Sequence, residues 1–62
     1  MTINETITHV EDILMVSWSR PVLIEARRLL VAIDYKDCSP AQEWLVQQLY
    51  NRISNRLRVL DV

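Results

Sequence analysis

The sequence predicts an all-α domain: a helical hairpin preceded by a short N-terminal helix. Three observations lead there. The 62 residues include no glycine and only two prolines, whereas hairpins and sheets rely on glycine-containing turns. Good helix formers, Leu, Arg, Gln, Glu and Ala, recur throughout. Apolar residues repeat at spacings of three and four rather than two.

The last segment is the clearest. Ser39 is an N-cap, Pro40 suits the first helical position, and Gln42 completes an S-x-x-Q capping box. Leu45, Leu49, Ile53, Leu57 and Leu60 then form a stripe, widened by Val46 and Tyr50. The predicted helix runs over 40–59 with one apolar face.

The middle helix begins at "SRP", with Pro21 in its first turn. Val22, Ala26, Leu29, Leu30 and Ile33 share one face, and Ile24, Val31 and Tyr35 lie roughly opposite. Such a helix needs cover on two sides. The last helix supplies one. The second face points to a partner, and a second copy of the chain is the simplest, since most soluble oligomers are symmetric homodimers. Two hairpins would then share a bundle, with a dimer interface at Ile24, Val31, Tyr35, Leu49, Ile53 and Leu57.

Residues 8–19 admit two readings. As a helix, Thr8 caps, Glu11 completes T-x-x-E, and Val10, Ile13, Leu14 and Trp18 make the stripe. The first seven residues are then a flexible arm. As a strand, "ILMVSWS" alternates Leu14, Val16 and Trp18 with Met15, Ser17 and Ser19. The cap and the acidic first turn favour the helix.

The chain is one domain at most, residues 1–62. Below about 70–80 residues a single core supplies little stability, and disulfides, metals or oligomerisation usually assist. One cysteine, Cys38, excludes an internal disulfide, and a single histidine, His9, leaves no His/Cys zinc set in one chain. Half the residues are hydrophobic, 24% are charged and the net charge is −1. That balance describes a folded chain without a bulk basic footprint for phosphate. "MTINETITHVED" has neither the basic nor the apolar region of a signal peptide, and "ILMV" and "LLVAI" are far short of a membrane span. A cytoplasmic chain is expected.

No catalytic set emerges, so the chain is not expected to be an enzyme, and no cofactor or metal is expected. His9 beside Glu11 and Asp12 reads as helix-start chemistry. Cys38 precedes a helix N-terminus, a setting that activates thiols, but a lone turn cysteine reads first as a packed small residue. Without glycine there is no phosphate loop. Arg52 and Arg56 border the last apolar stripe, Trp44 falls off that stripe, and Trp18 lies at the end of the first segment. Arg and Trp are the residue types that anchor interfaces. Arg52, Arg56, Trp18 and Trp44 are therefore the candidate partner-binding residues. The expected function is a small regulatory or inhibitory module that docks a helical surface on a larger protein.

A second reading follows if residues 13–19 are a strand. "MVSWSRP", a helix, a turn and "SPAQEWLVQQLY" then resemble the ribbon-helix-helix layout over residues 13–58. That resemblance implies a dimeric DNA-binding regulator or antitoxin whose paired strands enter the major groove. Two features depart from the pattern. The turn "DYKDCSP" has no glycine, and the outward strand face, Met15, Ser17 and Ser19, is poor in base-reading side chains.

Overall fold

In the computed structural model, which describes residues 2–61, three helices run up, down and up: α1 (Ile3–Val16), α2 (Arg20–Val31) and α3 (Pro40–Leu60). A single 3₁₀ turn, Tyr35–Asp37, interrupts the second connection. At 1.5 Å per residue, the 21 residues of α3 span roughly 31 Å. This helix sets the long axis of a 35 × 17 × 17 Å body.

Each helix start has a local cause. At α3, Ser39 Oγ accepts from the Gln42 N–H and Gln42 Oε1 accepts from the Ser39 N–H, the box expected from the sequence. At α1 the same motif acts one turn and a half earlier than expected. Thr2 Oγ1 accepts from the Glu5 N–H, and the Glu5 carboxylate accepts from the Thr2 N–H. Residues 3–7, expected in a flexible arm, are therefore helical. "TINE" and "THVE" carry equivalent capping signals, and burial of Ile7, with Ile3 packed on the core, favours the earlier one. The Gln42 amide also donates to Asn4 Oδ1 at 2.8 Å, so the two capped N-termini sit side by side.

The core is drawn evenly from the three helices. Ile7, Val10 and Leu14 come from α1. Leu23, Ala26 and Leu30 come from α2. Val46, Leu49, Ile53 and Leu57 come from α3. Ile3, Ile13, Ile24, Ile33 and Leu45 pack around them, half-buried. Buried Thr6 donates its hydroxyl to the Thr2 carbonyl at 3.0 Å, and no buried side-chain polar atom among the described residues lacks a partner. That satisfaction avoids the cost of an orphaned polar group.

Several expectations are corrected here. Residues 13–16 are the last turn of α1, and no strand occurs among the described residues. The ribbon-helix-helix layout is therefore not adopted. A complete cap and an i, i+3, i+7 spacing (Ile7, Val10, Leu14) outweigh the β propensity of the aliphatic run. Leu49, Ile53 and Leu57, expected at a dimer interface, lie inside the chain's own core. Helix α1 packs against both α2 and α3. Ile24 is half-buried against that core, leaving only Val31 and Tyr35 of the expected interface on the surface. Helix α2 also turns one residue from the expected face, burying Leu23 rather than Val22. It stops at Val31, where Ala32 caps, and Asp34 then accepts from the Lys36 N–H to begin the short turn. No described residue has a positive φ.

Candidate partner-binding site

The C-terminus of α1, the start of α2 and the end of α3 meet at one end of the bundle. An ion pair between Arg20 and Asp61 ties the last two. The three-residue link Ser17–Ser19 is held tight by Ser17 Oγ, which accepts from the Ser19 N–H at 3.2 Å. Trp18 is at its centre.

Helix α1 ends without a basic residue in its last turn, although a cation there would complement the helix dipole. Arg56 of α3 supplies it. Its Nη1 donates to the carbonyls of Leu14 and Ser17, the latter at 3.1 Å. The same guanidinium lies 4.3 Å from the centre of the Trp18 ring, a cation–π contact. Trp18 is thereby fixed in place while remaining 56% exposed. With Arg52, Asn55, Arg56 and Val59 it lines a shallow concavity of about 270 Å³. Met15, Val16, Val22 and Leu60 add exposed apolar surface near this end.

Three of the four residues expected to bind a partner, Trp18, Arg52 and Arg56, are thus brought together from segments far apart in sequence. Their roles differ. Arg56 is half-buried and engaged with the fold, whereas Arg52 is exposed and has no ion-pair partner among the described residues. Trp44 is separate. It lies opposite the buried stripe of α3, is 61% exposed, and precedes Arg52 by about 12 Å along the helix. Val59, Met15 and Val16 were not among the expected site residues. Their only sequence signal is that they are apolar yet fall outside the stripes.

Val31 and Tyr35 contribute to a different feature. With Leu30, Ile33, Val46 and Tyr50 they line an apolar groove of about 230 Å³ where the α2–α3 connection crosses α3. Tyr50, expected to widen the core stripe, is instead partly exposed at the groove's edge.

The remaining candidates carry little chemistry. His9, with Asn4, Glu5, Thr8 and Asp12, lies on the open outer face of α1. No group of three or more His, Cys, Asp or Glu among the described residues is placed to hold a metal ion. Cys38 is half-buried, and its thiol donates to the Asp34 carbonyl. Its pKa is raised, first by desolvation and then by the carboxylates of Glu43, Asp37 and Asp34. That direction is the opposite of an activated thiol's. A helix N-terminus lowers a thiol pKa only where nearby carboxylates do not offset it. No described helix is long and apolar enough to cross a membrane.

Compared with known protein families, with curated proteins and with solved structures, the chain finds no match.

Proposed function

We propose that the chain is a small cytoplasmic protein-interaction module. It docks on a larger protein through the Trp18 end of the bundle and so modulates it. One observation carries this reading: a tryptophan stacked against Arg56 and left more than half exposed, in a concavity shared with Arg52, which has no ion-pair partner among the described residues. Exposing a large aromatic without covering it forgoes about 1.5–3 kcal/mol of burial. Trp and Arg are the commonest interface anchors, and a fixed side chain pays little ordering entropy on docking. Exposed Val59 in the same concavity adds apolar surface of the kind that marks interaction sites.

The test is site-specific photo-crosslinking in the native cell, with a benzophenone side chain at position 59. The expected result is a discrete adduct heavier than the chain, lost when Trp18→Ala is added. Failure to form an adduct, or one indifferent to Trp18, would refute this assignment.

A homodimer is a second reading, favoured by the groove between Val31, Tyr35 and Tyr50. It is narrower than the shared bundle expected from the sequence, because the α3 stripe is already occupied. Sedimentation equilibrium should then show a dimer that Val31→Glu dissociates without loss of helix content. A parent chain that stays monomeric would remove it. The DNA-binding reading depended on a strand at residues 13–19 and loses its geometric basis with the helix found there.

A further inference from the structure

Charge is unevenly spread over the first and last helices, while α2 carries both signs and α3 has one carboxylate, Glu43, in its first turn. Helix α1 carries Glu5, Glu11 and Asp12 and no Lys or Arg. From Trp44 to Leu60, α3 carries Arg52, Arg56 and Arg58 and no carboxylate side chain. Two of those arginines have structural reasons to be there. Arg56 caps α1, and Arg58 lies in the last turn of α3, where a cation suits the dipole. Arg52 has no such reason. It sits two turns from the helix end, beyond the reach of that dipole. Neither ion pair among the described residues involves it. It is exposed, and it opens into the same concavity as Trp18 and Val59.

We propose that the Trp18 end binds an acidic peptide segment in which carboxylates flank one large apolar side chain. This rests on the docking function proposed above and names the chemistry of its partner. The apolar side chain packs on Trp18 and Val59, which are 56% and 63% exposed. A neighbouring carboxylate takes the free fork of Arg52, a planar donor matched to it. Arg58 and the engaged Arg56 add to the positive potential at this end, and the acid-free stretch from residue 44 to 60 puts no competing carboxylate on this face of α3. A nucleic-acid ligand fits less well. Phosphate tracking needs a field of free cations, whereas the whole chain is net negative with an acidic α1. A second copy could present α1 as the acidic segment, and self-association is read directly in the test.

The full chain is panned against a phage-displayed library of random short peptides, with Arg52→Glu as the counter-target. The expected selection is rich in Asp and Glu around a single aromatic or aliphatic residue. A synthetic peptide from it should bind Arg52→Glu about tenfold more weakly, as expected for loss of a charge-assisted pair. It should shift the amide signals of Asn55 and Val59 and the Trp18 indole. Neutral or basic peptides that shift those same signals would overturn the acidic partner but leave the docking site. Selected peptides that never shift them would overturn both. Binding of a short DNA duplex at this end, with a steep salt dependence, would overturn the proposal in favour of nucleic acid. A dimer abolished by Arg52→Glu would overturn it in favour of a second copy.

Discussion

Replacing Arg56 with alanine separates a structural arginine from a binding one. In the parent, Arg56 donates to two carbonyls at the end of α1 and lies over Trp18. A hydrogen bond from a charged group contributes about 1.5–3 kcal/mol. The two bonds share one nitrogen, and in the variant water reaches the freed carbonyls, so the pair is counted as roughly one such bond. The cation–π contact adds about 0.5–1 kcal/mol at an exposed site. The expected loss is therefore about 2–4 kcal/mol, or roughly 8–32 °C in Tm for a domain of this size. Arg52→Ala is the control, and a surface change of that kind costs within about 0.5 kcal/mol. Arg56→Lys keeps the charge without the fork and should fall between the two. Thermal and urea unfolding followed by circular dichroism give the stabilities. Fluorescence in a Trp44→Phe background reports on Trp18 alone. If Arg56→Ala unfolds together with Arg52→Ala, the clamp contributes nothing and Trp18 is not fixed as described.

Ile53 is fully buried at the centre of α3, and Ile53→Ala should cost about 2–5 kcal/mol. That matches most of what a core this small supplies, so the variant should lose its helical circular dichroism at room temperature, while Val31→Ala stays near the parent. A cooperatively folded Ile53→Ala would show that this residue does not anchor the core. The Glu5 carboxyl is held below its usual range by hydrogen bonds from Thr2, the side chain first and then the backbone N–H. A lowered folded pKa contributes stability that is fully present above the unfolded carboxylate range and is lost as pH falls through the folded value. Carbon-detected NMR titration should place the Glu5 midpoint low and move it upward in Thr2→Ala. An unchanged midpoint in that variant would remove the α1 capping box.

Much of this fold was legible in the residues, for local reasons. Ser39, Pro40 and Gln42 act within one turn, and the Leu49–Ile53–Leu57 stripe follows from helical period alone. What escaped depends on distance or competition. Two equivalent capping motifs stood six residues apart, and only packing against the other helices selects Thr2. The Val22 and Leu23 faces of α2 differ by one residue, and the arrangement of α1 decides between them. The second apolar face of α2 divides: Ile24 packs against the chain's own core, whereas Val31 and Tyr35 stay exposed. The Arg56 clamp joins residues 42 apart in sequence and has no local signature. Trp18 and Arg52 were picked out by residue type, yet their meeting at one end follows from α1 and α3 running parallel.

The absence of positive φ throughout the described chain has a consequence for mutational tolerance. Neither connection reserves a place for glycine or for any residue suited to left-handed backbone. Even the Arg56 clamp grips main-chain carbonyls, which every amino acid supplies. A deep mutational scan for stability should therefore find the constraint concentrated in the ten core positions, the two caps and Arg56, with residues 35–37 of the second connection open to wide substitution. That second connection is where a tag, an unnatural amino acid or a spectroscopic probe can be placed without disturbing the Trp18 end.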